Sequence, residues 1–212
     1  MDTAEKLNFS EKRDIVIDSG LQLIPGIGGA LSTVYFGTKQ AKAYKRIERF
    51  YSELCSEISE IKSQITSISN HDEDGLVSLI EQVNDKVEKE HQELKFQCYK
   101  KYMKNILINP VDAFNYDKRK VFLDIIEDMS LLECEILALL YKNKGNRAQV
   151  RFISKPGVNQ YAIVGSISKL KSYGFLRTTQ GSFSIGGNED NLLEEFVGIN
   201  EYGIEFVEFT LA

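Results

Sequence analysis

Apolar residues recur at Ile47, Phe50, Leu54, Ile58, Ile61, Ile65 and Ile68, three or four positions apart with a mean step of 3.5. That spacing predicts a helix over residues 39–70 with a coiled-coil-like seam, its Glu, Lys and Ser residues turned outward. The turn-favouring run Asn70-His71-Asp72-Glu73-Asp74-Gly75 interrupts the pattern. A second stripe follows at Leu76, Ile80, Val83, Val87, Leu94, Cys98 or Tyr99, Tyr102 and Ile106. Two long helices joined by a short polar turn are expected to fold back as an antiparallel hairpin. Each arm would be roughly 45 Å long at 1.5 Å per residue. That is long for a lone hairpin, so its apolar face is expected to meet a second copy of the chain or the N-terminal segment.

Pro110 closes this unit, because proline disfavours helical geometry in the preceding Asn109. Residues 117–128 read as one more amphipathic helix. Ser130 and Glu133 match a capping box and open a helix over 131–141, with Leu132, Ile136, Leu139 and Leu140 expected to face inward. Residues 142–154 are ambiguous between a brief helix and a strand, and 155–158 form a turn. Asn159 reads as the N-cap of a helix over 160–173, with Ile163, Ile167 and Leu170 apolar and Gly174 as its C-terminal glycine. Residues 175–178 and 182–185 alternate like two strands about a Gln-Gly turn, 196–199 supply a third short strand, and 201–209 close as a helix. No internal repeat or low-complexity tract interrupts this order.

Residues 163–176, Ile-Val-Gly-Ser-Ile-Ser-Lys-Leu-Lys-Ser-Tyr-Gly-Phe-Leu, resemble the third helix and first wing strand of winged helix-turn-helix domains. In that family an apolar helix ending in Leu-x-x-x-Gly and two apolar residues feeds a β-hairpin wing. Residues 200–206, Asn-Glu-Tyr-Gly-Ile-Glu-Phe, resemble the family's end, a Thr/Asn-x-x-Gly-x-x-Phe stretch after the last strand. The resemblance covers about residues 117–212. It departs from the family at the second helix, since 144–154 are short for one and carry the β-favouring run Gln149-Val150-Arg151-Phe152-Ile153. The wing loop, residues 186–195, is also long and acidic at its end.

Charge sharpens the picture. Residues 142–188 hold eight basic side chains (Lys142, Lys144, Arg147, Arg151, Lys155, Lys169, Lys171, Arg177) and no Asp or Glu, in a 212-residue chain of net charge −5. Such a concentration points to an anionic partner, most simply nucleic acid. A helix fits the major groove, and phosphates reward nearby cations. The candidates on the recognition helix are Asn159, Gln160, Tyr161, Ser166, Lys169 and Lys171, with Arg147, Arg151, Lys155 and Arg177 as phosphate contacts. Many winged helices are instead protein–protein modules, and that alternative stays open.

Hydrophobic content of 42% and charge of 27% exclude wholesale disorder. Cys55, Cys98 and Cys134 are odd in number and far apart, which suits reduced thiols in a cytosolic protein. Residues 1–18 are charged throughout and lack the apolar core of a secretory signal. Residues 19–38 carry no charge and are long enough to cross a bilayer, and Lys39, Lys42, Lys45 and Arg46 follow as at a cytoplasmic membrane face. Pro25 and five glycines weaken any helix there, so the segment is expected to pack on the protein, with membrane contact as the alternative.

No catalytic set is legible. His71 and His91 are the only histidines, and His91 with Cys98, seven apart, reads as a boundary histidine and a core thiol rather than metal ligands. Gly26-Ile27-Gly28-Gly29 echoes a phosphate-binding loop, but no strand precedes it and no Gly-Lys-Ser/Thr follows. No enzyme, cofactor or metal is expected. The fold class is mainly α with a small β wing: an apolar Gly-rich segment (1–38), a long antiparallel helical hairpin (39–115) and a C-terminal winged helix (116–212). The leading expectation is a cytoplasmic, non-enzymatic protein of bacterial or phage type that binds double-stranded DNA and self-associates as a homo-oligomer through the hairpin. The alternative is a membrane-associated effector or adaptor whose winged helix is a protein-interaction or sensor module. The layout is loosely similar to small phage-defence and abortive-infection proteins.

Overall fold

The apolar periodicity becomes seven helices and one small sheet in the computed structural model, which describes residues 41–61, 70–180 and 191–212. The expected segment 19–38, the stripe positions Ile65 and Ile68, and the strand 182–185 lie outside the described residues. The chain divides into two units, Met1–Glu127 and Asp128–Ala212.

In the first unit α1 (Ala41–Ile61), α2 (Glu73–Lys89) and α3 (Glu93–Ile108) pack pairwise on one another. Ile47, Phe50, Leu54 and Ile58 of the first stripe are buried, as are Leu76, Ile80, Val83, Val87, Tyr99, Tyr102 and Ile106 of the second. Both stripes therefore find their cover largely within the unit. The long second arm expected from the sequence is broken in two. Its stripe steps seven positions from Val87 to Leu94, and the missing turn holds Glu90-His91-Gln92. Glu90 is extended, and its side chain accepts hydrogen bonds from the backbone N–H groups of His91 (2.8 Å) and Gln92 (2.7 Å). One carboxylate thus serves the donors that a continuous helix would have bonded internally. Leu94 is exposed, and His91 sits before α3 rather than on its face with the buried Cys98, so the two do not share a helix stripe.

α4 (Tyr116–Asp128) buries Phe122, Leu123, Ile125 and Ile126. Its residues bond within the first unit: the Tyr102 hydroxyl donates to the Arg119 carbonyl at 2.9 Å, and Lys95 Nζ donates to the Glu127 carbonyl at 2.6 Å.

The second unit is built on α5 (Leu131–Lys142), β1 (Ala148–Gln149), a short 3-10 turn (Val150–Phe152), α6 (Gln160–Ser172), β2 (Leu176–Gln180), β3 (Glu195–Ile199) and α7 (Glu201–Thr210). The strands are antiparallel in the order β1-β3-β2, with Arg177 opposite Gly198 and Ala148 opposite Val197. The ambiguous stretch 142–154 thus resolves into a two-residue strand and a turn. Among the described residues, β2 takes β3 as its partner.

Local chemistry explains the boundaries. The Ser130 hydroxyl accepts from the Glu133 N–H while the Glu133 carboxylate accepts from the Ser130 N–H, the expected reciprocal cap. Asn159 caps α6 through the Tyr161 N–H at 2.8 Å. Gly174 ends that helix at φ +78°, a conformation L side chains disfavour. The Asn200 side chain accepts from the Gly203 N–H and donates to the Gly174 carbonyl, and Phe206 stacks on Phe175 with centroids 4.5 Å apart. The Asn-x-x-Gly-x-x-Phe stretch is therefore a joint between α7 and the start of β2.

Candidate functional site

The second unit holds the basic window, and the fold disperses it. Lys144 Nζ lies 3.5 Å from the Glu208 carboxylate, Arg151 pairs with Glu194, and Lys155 pairs with Glu135. Lys169 meets Asp128 at 3.1 Å and Glu133 at 3.5 Å, and Lys171 meets Glu195 at 2.7 Å. Five of the eight cations thus face carboxylates contributed by residues flanking the window on both sides. Solvent-screened pairs of this kind add little stability. Their larger effect is to cancel the field that a run of cations would project. Counting Asp128–Ala212 in full, eight basic and ten acidic residues leave the unit at −2. Burial pulls the Lys169 ammonium down in pKa, but hydrogen bonds with Tyr173 and Asp128 outweigh it and raise it further above the ordinary lysine value.

The recognition-helix candidates separate into different roles. Ser166 is buried against the core and does not belong to an exposed face, a correction to its place among the contact residues. The Gln160 amide donates to the carbonyls of Val150 (2.9 Å) and Ile153 (3.2 Å), so it fastens the 3-10 turn to α6 instead of reaching outward. Asn159 is engaged as the cap. The exposed positions of α6 are Tyr161, at 60% exposure, Ala162, Gly165, Ser168 and Ser172, none of them charged, while the ion-paired Lys169 and Lys171 are partly exposed. An added Cβ at Gly165 would meet nothing within 4 Å. Arg147 and Arg177 remain exposed, and among the described residues neither they nor Lys142 has a carboxylate partner. Arg147 donates to the Thr179 hydroxyl.

A second feature of this unit was not expected. Leu132 and Leu139 do not both turn inward: Cys134, Ile136, Leu137 and Leu140 form the buried face, Leu132 is half-buried and Leu139 is 43% exposed. Leu139 and Phe152, which is 77% exposed, border a cavity of about 480 Å³ whose rim carries Asn143, Arg147, Gln149 and Phe196. A neighbouring cavity of about 230 Å³ is lined by Leu132, Ile136 and Ile163, with the Lys155–Glu135 pair at its edge. Both cavities touch Leu139 and Ile153, so they form one apolar strip along the outer side of α5. The signal for it lay in α5 itself, whose sequence is apolar almost all round and exceeds what one buried face requires.

In the first unit a cavity of about 410 Å³ carries Lys45, Arg46, Arg49 and His91. Its arginines are already engaged: Arg46 donates to the Glu88 carbonyl at 2.6 Å, and Arg49 pairs with Glu53 and Glu93 at 2.7 Å each. Glu53 and Glu57 also receive Lys100, at 3.0 and 2.7 Å. Partial burial pushes both carboxyls up, but bonds from Lys100 together with Arg49 and Lys104 outweigh it and hold them below the ordinary carboxylate range.

Among the described residues, no helix is long and apolar enough to cross a membrane, and no group of three or more His, Cys, Asp or Glu residues gathers at metal-binding spacing. Cys55, Cys98 and Cys134 are not disulfide-bonded. No family model, no curated protein and no solved structure matches the chain.

Proposed function

We propose that Asp128–Ala212 is a winged-helix-type recognition module, without chemistry of its own, that docks a protein partner through the apolar strip along α5. The strand order β1-β3-β2, with a helix before β1 and another between β1 and β2, supports the winged-helix reading. The observation that carries the docking reading is the surface left once ion pairing is complete. Leu139 and Phe152 stand exposed beside a 480 Å³ cavity, while most of the basic window is neutralised. Soluble chains seldom leave large contiguous apolar side chains uncovered around a cavity unless something binds there.

Duplex DNA is the second reading, favoured by one observation. Arg147 and Arg177 are exposed and, among the described residues, have no carboxylate partner, and cations of this kind contact phosphates.

A random-peptide display selection on the full chain tests the leading reading. Peptides enriched on the wild type are expected to be lost on Leu139→Glu and on Phe152→Asp, both at exposed positions where folding is little affected. Enrichment that survives both changes would overturn the docking surface.

A further inference from the structure

The apolar strip ends at Arg147, and Arg177 lies beside it across Gly198 of β3, an arrangement with a ligand chemistry of its own. A Cβ at Gly198 would lie 3.4 Å from Arg147 Cγ and 3.6 Å from Arg177 Nε. The two side chains therefore flank the same point of β3, the aliphatic stem of Arg147 on one side and Nε of Arg177 on the other. A Cβ at that position would also meet the Asn146 carbonyl oxygen at 2.9 Å, so glycine is what lets the segment before β1 come so close. Arg177 and Thr179 are two residues apart on β2 and share a face, and their β3 partners are Gly198 and Phe196. Because Thr179 Oγ1 accepts from Arg147, its own O–H is left to donate elsewhere. Arg147, Arg177 and the Thr179 hydroxyl thus share one exposed face of the sheet, and among the described residues no carboxylate pairs with either arginine. Two cations on one face of a sheet favour an oxyanion, which a guanidinium fork receives through paired hydrogen bonds.

We infer that Arg147, Arg177 and Thr179 form a carboxylate clamp at the end of the apolar groove, and that the partner segment carries an Asp or Glu next to the apolar side chain it inserts. This rests on the docking reading above and names the partner's chemistry. Continuity favours a carboxylate on a protein over a phosphate. Arg147 and Phe196 belong to the same cavity wall as Leu139 and Phe152, so one ligand meets charge and apolar surface together. A nucleic-acid backbone would offer repeating phosphates to a unit of net charge −2, where the neighbouring cations already face carboxylates.

The test uses the full chain and a fluorescent peptide taken from the display selection, in three versions: as selected, with its acidic residues changed to the amides, and with its apolar residues changed to Ser. Binding is followed by anisotropy. The amide peptide is expected to bind about 10- to 100-fold more weakly than the parent, the range of a charge-assisted hydrogen bond. Arg177→Gln is expected to cause the same loss for the parent peptide and little further loss for the amide peptide, since the two changes remove one interaction. If the amide peptide binds as tightly as the parent while Leu139→Glu still abolishes binding, the clamp is wrong and the groove stands. If Leu139→Glu leaves the parent peptide bound, the docking reading itself is lost. Displacement of the peptide by a duplex oligonucleotide from the wild type but not from Arg177→Gln would reassign the clamp to phosphate.

Discussion

Exchanging glycine for alanine at two helix positions of the second unit should move stability in opposite directions. Gly203 sits in the first turn of α7, where a Cβ would fall 2.6 Å from the Phe175 carbonyl oxygen, 2.8 Å from Ile199 Cγ1 and 3.1 Å from Phe175 Cβ. Ordinary contact begins near 3.4 Å, so backbone must give by several tenths of an ångström. The oxygen struck is the one that accepts the Asn200 N–H at 3.0 Å, and moving α7 away also loosens the stack of Phe206 on Phe175. Alanine gains about 1 kcal/mol in helix propensity, overpacking costs about 1–3 kcal/mol, and a weakened aromatic pair adds up to about 1 kcal/mol. Because the struck atom is backbone, overpacking should outweigh the propensity gain, and Gly203→Ala should lose up to about 3 kcal/mol. Gly165, on the open face of α6, has nothing within 4 Å of an added Cβ, so Gly165→Ala should gain up to about 1 kcal/mol. Urea unfolding of the full chain, with amide hydrogen exchange read at residues 197–207, measures both. A Gly203→Ala variant as stable as the wild type, or a weakened Gly165→Ala variant, would refute this account of the α7 joint.

Three further outcomes are expected. In Tyr51→Phe the buried Asn84 Oδ1 loses its 2.9 Å hydrogen bond, which should cost about 1–3 kcal/mol in urea unfolding, partly recovered by adding Asn84→Leu. Glu53 and Glu57 titrate below the ordinary 4.5 when folded, so the unfolded chain binds more protons there; the stability they contribute is present above pH 4.5 and lost as pH falls through the folded values. Urea midpoints taken across that range should decline on the acid side, and less so in Lys100→Met, where the carboxyls lose their shared partner. Asn159→Ala should lower stability by about 1 kcal/mol because it removes a helix cap, and an unchanged unfolding midpoint would contradict the assignment.

Much of the helical order was legible because spacing alone dictates which residues leave water. The break between α2 and α3 was written in the stripe as well, since Glu90 and His91 occupy the turn where an inward apolar residue belongs. The ends of α5, α6 and α7 were readable from Ser130, Glu133, Asn159, Gly174 and Asn200, whose side chains or backbone freedom solve local hydrogen-bonding problems. The outward face of α5 was not readable. With Leu131, Leu132, Leu137, Leu139 and Leu140 spread around the helix, periodicity could not choose which leucines the core would take. Neither could the sequence show that the basic window is answered in space. Glu135, Glu194, Glu195 and Glu208 lie outside residues 142–188 and return to them only through the sheet and the helices beside it.

The salt dependence of duplex DNA binding by the full chain tests most directly whether those cations are already engaged. Each phosphate contact contributes a slope of about −0.9 to log K against log salt. With Lys142, Arg147 and Arg177 as the basic side chains of the window that lack a described carboxylate partner, binding should be weak and its slope no steeper than about −2.7. A slope near −7, as eight cooperating cations would give, would show that the ion pairs open to receive DNA and that the basic window, not the apolar groove, is the recognition surface.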